Sequence, residues 1–600
     1  MANKLDDIHW LTGAAQAARR LRCPVCGVTG PHRPVLEVPS SIAPFPLLTF
    51  LHCESCGSGQ FDPPGVTNFA DMVERDDAFW RFYVEVGGGV WETIWPVLAE
   101  KTPGRRTLLD VGCGFGFAVD YWQRIHGGEA VGVELAHYGA VGARMLGITV
   151  HDRLLQDVPA LAGRRFDVVY ASEVIEHVPD PGAFVALLAN YVAGNGVLVL
   201  TTPCREYVEP AQHSLTLHAA LSPGFHGFLL SEDALAGTAR RAGFAHVAVR
   251  RFGERLFLWA SRAPLAVDPA PAKLQPTYRA YLEAHAGLPD TTSPVWQGMA
   301  YRLIKEYVGA NRAAEASALA RRLVAACALA FGPQIEDPAA AQELLRKCAD
   351  LSAVGRVVPY FLPSLYFYLG LIAQHFENDI ERAERMFAGA AGCTLAVAPL
   401  GHFLEAASLL WMARAALAEI RFARGDIAGG ARLYAAIAAA GGACTEENGY
   451  AIADRALLES RIPTITENLL AAGHAAAAAE MFAGYRAHVQ RQYGAGLLTA
   501  PGVATALAAG PAPLDPLFAP AFSAILAQQG RIAAGGAIAG LSALLDIADR
   551  WSADPVLGRR MQDHAQRLRR LLPARRPAAA PTLSYSFTMK NGKSGPGQAP

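Results

Sequence analysis

Net charge is what this 600-residue chain most lacks: 53 basic side chains face 54 acidic ones, a formal balance of −1 at pH 7. Such a balance provides no global electrostatic footprint for gathering nucleic acid or an anionic membrane. The first residues, Met1-Ala-Asn-Lys-Leu-Asp-Asp, lack the basic-then-apolar pattern of a secretory signal, and a cytoplasmic location is expected. A long membrane-spanning run is also missing where it would be sought first. Val357 to Ala373 carries no charge but is shorter than the roughly 20 residues that span a bilayer, and Pro359 and Pro363 interrupt it. That stretch reads as a buried helix. Ten cysteines are too few and too unevenly placed for a disulfide framework, and they fit a reducing compartment with a metal site.

Apolar residues make up 52% of the chain, ample for two to four domains, and the abundance of alanine points to helices. The most informative segment is Thr107-Leu-Leu-Asp-Val-Gly-Cys-Gly-Phe-Gly116. A short apolar run predicts a buried parallel strand ending on Asp110, and Gly112, Gly114 and Gly116 let the backbone bend and admit a ligand. A helix from Ala118 to Arg124 would point its amino end at that ligand. A second strand, Glu129 to Glu134, ends one βα unit later on a carboxylate suited to a ribose diol. Dinucleotide-binding folds use a related turn, but they usually open on glycine rather than on an acid. Near the amino end, Cys23-Pro-Val-Cys26-Gly and Cys53-Glu-Ser-Cys56-Gly form two knuckles. Four thiolates supply the closed tetrahedral shell of a structural zinc, and the gap between them has room for a hairpin, Arg33 to Val38 and Leu47 to His52. Unligated thiols are the alternative. Nothing here resembles a thioredoxin-like unit that would make them redox-catalytic.

The acid–glycine turn and Glu134 together resemble the cofactor site of class I S-adenosylmethionine (SAM)-dependent methyltransferases. The segment Phe166-Asp-Val-Val-Tyr-Ala-Ser-Glu-Val-Ile-Glu-His-Val-Pro-Asp-Pro181 matches the fourth-strand region of the branch that includes ubiquinone-biosynthesis O-methyltransferases. A zinc ribbon before the cofactor domain is similar to the layout of many sugar-modifying methyltransferases. The resemblance covers roughly residues 70–262 with the ribbon before it, and composition and helical periodicity beyond it make the chain multidomain. It comprises a helix and small zinc ribbon (1–69), an α/β doubly wound Rossmann-like methyltransferase domain (70–262), a linker (263–276), an all-α helical-hairpin domain (277–573) and a disordered tail (574–600).

Within the domain, further strands are expected at Gly147–Val150, Phe166–Ala171 and Gly196–Thr201, then a helix Ser231–Ala242 and a strand pair Ala245–Arg250 and Arg255–Ser261. The resemblance implies that SAM is held by Asp110, Gly112, Gly114, Gly116 and Glu134, with Glu173, Glu176 and His177 beside the transferred methyl. His177 reads either as a general base or as a histidine that binds backbone or substrate. Glu173-x-x-Glu176-His177 also matches the metal motif of small-RNA terminal 2′-O-methyltransferases. His226 is then the best candidate to complete the shell around a divalent cation, with His213 and His218 as rivals. Among the aromatics of residues 71–100, Tyr83 is a candidate lid residue over the cofactor, and packing between domains is the alternative. The acceptor implied is a sugar or glycan, methylated on oxygen or on carbon. RNA 2′-O-methylation, and a non-enzymatic scaffold carrying a relic domain, are the competing readings.

Beyond residue 276 three segments align, at Asn378–Phe387, Gly425–Tyr434 and Gly473–Phe482, each placing an aromatic nine positions after a turn residue. The pattern resembles a helical-hairpin repeat akin to tetratricopeptide arrays, whose concave face would suit a protein partner. No acid–glycine turn or ligand spacing recurs there. The helical region is therefore expected to take no part in the cofactor pocket.

Overall fold

The computed structural model describes residues 8–447 except 12–16, 41–45, 65–76, 211, 213, 401 and 402, with a few single positions between 465 and 566. Its first sheet is antiparallel and is built from β1 (His9–Trp10), β2 (Arg19–Arg22), β3 (Thr29–Pro39), β4 (Leu47–Cys53) and β5 (Gly59–Asp62). β3 buries every second residue from Gly30 to Val38, the period of a half-covered strand. The predicted hairpin is therefore present and longer at both ends.

Both cysteine knuckles close in the same way. The N–H of Gly27 donates to the carbonyl of Cys23, and that of Gly57 to the carbonyl of Cys53, each at 2.9 Å. Both glycines are left-handed, at φ +74° and +76°, where a side chain would be strained. The four thiolate positions converge: Sγ of Cys23 and Cys56 lie 3.7 Å apart, those of Cys26 and Cys53 4.0 Å apart, and all four fall within 4.8 Å of one another. Sulfurs on a tetrahedral zinc, each about 2.3 Å from the metal, stand roughly 3.8 Å apart, so the set fits that ion.

The second sheet runs through β6 (Thr107–Val111), β7 (Glu129–Val133), β8 (Val150–His151), β9 (Phe166–Ser172) and β10 (Val192–Pro203). The next strand, β11 (Phe228–Leu229), leaves this sheet and pairs with β5 of the ribbon. β12 (His246–Phe252) and β13 (Arg255–Ser261) return as a hairpin. The order is β12-β13-β10-β9-β6-β7-β8, with β6 to β10 parallel and β13 antiparallel to β10. Strands covered on both faces read as unbroken apolar runs, as in Val197–Leu200, all fully buried. The order reverses between β6 and β9, the switch point where open α/β sheets leave a crevice at the strands' carboxyl ends.

Two expected boundaries move. The third strand starts at Val150 because Gly147, at φ +72°, is still ending the helix His137–Leu146. The proline-rich 263–276 segment is not a free linker. Its backbone hydrogen-bonds to Ala99 and Lys101, and a helix, Pro271–Ala286, starts inside it with proline at the first helical position, where no N–H partner is missed.

The first compact unit extends through Tyr368 and includes Pro399–His402. The helices between residues 270 and 360 therefore belong to the same unit as the sheets. At Asp120, in the short helix after the glycine turn, Oδ2 accepts from the Tyr281 hydroxyl at 2.7 Å and lies 2.6 Å from His285 Nε2, while Oδ1 accepts from Arg124 at 3.0 Å. The second unit holds Leu369–Ala398 and the chain from Phe403 onward. Its helices Ile380–Val397, Leu404–Ala423 and Ile427–Glu447 follow one another as hairpins. Asn378 and Gly425 sit at positive φ before two of them, and Phe387 and Tyr434 are buried. Half of the third motif, its Phe482 included, and the whole 574–600 tail lie outside the described residues. Among those described, no single helix is long and apolar enough to cross a membrane.

Elemental analysis of the purified chain should find about one zinc, and Cys53→Ser should lose both the metal and cooperative unfolding of the ribbon. Fully folded, metal-free wild type would contradict this. Asp120→Asn should cost about 3 kcal/mol, because it leaves buried partners uncompensated. Burial raises the Asp120 pKa, but His285, Tyr281 and Arg124 outweigh it and hold the carboxyl below its usual range. Its stabilisation is therefore complete above the unfolded carboxyl pKa and is lost as pH falls through the folded one. Melting curves of wild type and variant should differ at pH 7 and converge in acid.

Candidate functional site

Asp110 closes β6 at the switch point with its side chain almost fully buried and neither carboxylate oxygen hydrogen-bonded within the protein. Burial, and then the charge of Glu134, push its pKa well above the usual carboxylate range. A buried acceptor without a donor is costly, so the site is shaped for a donor that a ligand brings.

Glu134 stands one strand away, just after β7, and is fixed by backbone. Its Oε2 accepts the N–H of Gly114 at 2.9 Å and its Oε1 that of Ala136 at 2.7 Å. Each oxygen keeps a lone pair for a further donor. The glycine turn is stitched to the same strand end, with Gly112 N–H donating to the Val133 carbonyl at 2.8 Å. The three glycines differ in their surroundings. A Cβ on Gly112 would lie 2.4 Å from Val174 and one on Gly116 2.3 Å from Ile148, both close packing contacts with protein. At Gly114 the same position lies 3.5 Å from the Tyr83 hydroxyl and the Tyr138 ring.

Tyr83 therefore stands at the turn. Its ring stacks on Phe117 at 6.2 Å and meets Tyr138 at 5.7 Å, while Trp80 stacks on Phe115 at 6.3 Å. Burial, with Glu134 next, pushes the Tyr83 hydroxyl up to about 12, so it stays protonated and able to donate. Tyr138 lies outside every motif of the sequence. The only available signal was an aromatic four residues after the carboxylate that ends the second strand.

The second half of the site follows β9. Glu173 occupies a left-handed position at φ 54°. Its Oε1 accepts from Thr201 Oγ1 at 2.9 Å and its Oε2 lies 3.7 Å from Arg255 Nε. Glu176 is fully buried; Thr202 Oγ1 donates to its Oε2 at 3.0 Å, and Oε1 has no hydrogen bond. Burial and the neighbouring Glu173 push its pKa well above the usual range. His177 Nδ1 lies 3.0 Å from the Phe225 carbonyl and His226 Nδ1 lies 2.9 Å from the Ala220 carbonyl. A carbonyl only accepts, so in each ring Nδ1 carries the proton and Nε2 presents a lone pair. Burial lowers both pKa values, that of His226 to about 3, so both rings are neutral at pH 7.

The rings approach to 4.8 Å between centroids, and one oxygen of Glu176 with one nitrogen from each histidine falls within 4.8 Å. Such a set could hold a divalent cation. The structure thus gathers Glu176, His177 and His226, and leaves Glu173 aside with Thr201 and Arg255. His218 lies in the helix Ser214–Leu221, outside this group, and His213 lies outside the described residues.

The ribbon also reaches this site. β11 begins two residues after His226 and pairs with β5. The Gly227 N–H donates to the Glu176 carbonyl at 2.9 Å, and the Gly227 carbonyl accepts from Phe61. Ser231 caps the next helix and donates its hydroxyl to the Cys56 carbonyl at 2.8 Å. The second cysteine knuckle therefore helps to anchor the loop that carries His226.

Residues 88–249 match a family described as a methyltransferase domain. Over 127 residues the chain is 33% identical to a probable chloroplastic tocopherol O-methyltransferase of Oryza sativa subsp. japonica, covering 20% of this chain and 34% of that protein. It is 34% identical over 104 residues to a ubiquinone biosynthesis O-methyltransferase of Rhodopseudomonas palustris, covering 17% of this chain and 41% of the relative. A ubiquinone biosynthesis O-methyltransferase of Cereibacter sphaeroides is 30% identical over 149 residues, covering 23% of this chain and 59% of the relative. The chain thus spans less than two thirds of the length of these three relatives. The acid–glycine turn, the carboxylate after β7 and the strand order already described make the matched region similar to class I, SAM-dependent methyltransferases.

Proposed function

We propose that the chain is a SAM-dependent methyltransferase that acts on a hydroxyl of a sugar or glycan intermediate. The observation that carries the cofactor reading is the Asp110 carboxylate, buried without a donor beside a Glu134 already oriented by two backbone N–H groups. Asp110 would take the ammonium of the methionine end, and Glu134 the ribose diol. When bound, SAM supplies an already activated methyl group. The protein's own tasks are then alignment, exclusion of water and removal of one proton. Neutral His177, with its proton on Nδ1, offers Nε2 as the acceptor for the hydroxyl proton. The matched relatives are O-methyltransferases, which favours oxygen over carbon as the methylated atom. The ribbon-plus-methyltransferase layout favours a sugar, and Glu173, Arg255 and Thr201 after the central strands are groups that bind hydroxyls.

A second reading has one specific observation behind it. The convergence of Glu176, His177 and His226 would suit Mg²⁺ or Mn²⁺, which would polarise an acceptor hydroxyl. It does not by itself bring in RNA as the acceptor, since the chain has no excess of positive charge. A relic domain would have no reason to retain a buried, unpartnered carboxylate at the switch point.

Purified protein screened with labelled SAM against nucleotide-sugars, glycans, quinols and RNA should label a carbohydrate. Transfer to quinol or RNA alone would overturn the acceptor. Glu134→Ala should weaken SAM binding by about 1.5–3 kcal/mol, the range for a hydrogen bond to a charged group. Unchanged affinity in calorimetry would remove the ribose assignment. His177→Ala should slow turnover by about 10²–10⁴ while SAM affinity holds. Loss of wild-type activity to a chelator, with recovery on adding Mg²⁺ or Mn²⁺, would favour the metal reading. A fully active variant would exclude His177 from both.

A further inference from the structure

The segment that carries Tyr83 to the glycine turn is short and wound as a π-helical turn, Tyr83–Gly87, between the helices Asp77–Phe82 and Val90–Leu98. Residues from beyond residue 290 meet its backbone and the side chains of Arg81 and Glu85. Arg302, in the helix Pro294–Gly309, is buried and spends its guanidinium on backbone carbonyls. Nη1 donates to Val84 at 2.7 Å, Gly298 at 3.1 Å and Glu85 at 3.2 Å, and Nη2 donates to Gly88 at 2.8 Å. A positive charge at these carbonyls also complements the negative end of the turn.

Gly298 explains how Arg302 gets so close. A Cβ there would lie 2.5 Å from the Val84 carbonyl, so a glycine that weakens the helix interior allows the two backbones to touch. From the next helices, Glu85, fully buried, accepts the Tyr360 N–H at 2.7 Å on Oε2 and the Arg81 guanidinium on Oε1. Arg81 in turn donates to the Gly355 carbonyl at 2.6 Å and lies over the Phe331 ring at 4.7 Å. No buried polar atom of Arg81, Glu85 or Arg302 is left without a hydrogen-bond partner.

We propose that the chain between residues 294 and 360 completes the cofactor site from outside, with Arg302 as the positioning residue that holds Tyr83–Gly87 so that Tyr83 stands over Gly114. This rests on the SAM reading given above. It also reverses the expectation that the helical region has no share in the pocket. Lysine cannot replace Arg302, because a single ammonium lacks the fork that serves Val84 and Gly88 together.

The test is a double-mutant cycle in the full chain, with SAM affinity read by calorimetry. Arg302→Met should weaken SAM about tenfold, and in a Tyr83→Ala background the same substitution should change affinity less than about twofold, because both act through one ring. Arg302→Lys should recover only part of the loss. Hydrogen exchange of the segment 80–90 without SAM should rise in Arg302→Met and return toward wild type in Arg302→Lys. Should Arg302→Met fail to fold, Gly298→Ala keeps the arginine and wedges the same contact, with the same non-additive loss expected. Wild-type SAM affinity in a folded Arg302→Met or Gly298→Ala, or an equal loss in both backgrounds, would overturn the brace. Wild type that binds no SAM would instead overturn the cofactor reading, and the brace's role with it.

Discussion

A parallel sheet whose order reverses cannot cover its own carboxyl ends at the point of reversal, and the rest of this protein is arranged around that constraint. β6 pairs with β7 on one side and β9 on the other, so the connections leave on opposite faces and a crevice opens above Asp110. The glycine turn, Glu134, the Glu173–His177 loop and Arg255 all sit at that level because they follow strands that end there. Even the ribbon is drawn in, since β11, between the fifth strand and the last hairpin, pairs with β5.

Four buried carboxylates separate structural from functional sites. Asp120 and Glu85 are each enclosed by an arginine four residues away and by groups from beyond residue 270, and each has its oxygens occupied. Asp110 and Glu176 are as deeply buried, yet one keeps both oxygens and the other one oxygen without a donor. Folding tolerates an unsatisfied buried acceptor only when other contacts fix its place. The two unsatisfied acids lie at the ends of adjacent strands, which is where a ligand in this fold binds.

Much of the catalytic domain was legible because its signals are local. The apolar runs of β6, β9 and β13, the acid before the first glycine and the carboxylate after β7 are each read from a few consecutive residues. Glycine after each cysteine pair likewise announced the knuckles. What stayed hidden depends on pairings far apart in sequence. Nothing around Phe228 marks it as a ribbon strand, and nothing around Arg302 says that its partners are the carbonyls of residues 84–88. The 263–276 segment misled because proline was read as a breaker, whereas Pro271 opens a helix and Pro276 lies within one. In the metal reading, motif spacing placed Glu173 with Glu176 and His177. The left-handed turn at Glu173 directs it toward Arg255 instead.

The pairing of β5 with β11 also bears on how the chain is made. As the protein leaves the ribosome, the ribbon's outer edge has no neighbour until residues 228 and 229 emerge, after five strands of the second sheet have been synthesised. An open strand edge is a template for pairing with another chain. The nascent chain is thus exposed to mispairing while residues 63 to 227 are being made, and the segment that follows His226 ends the exposure.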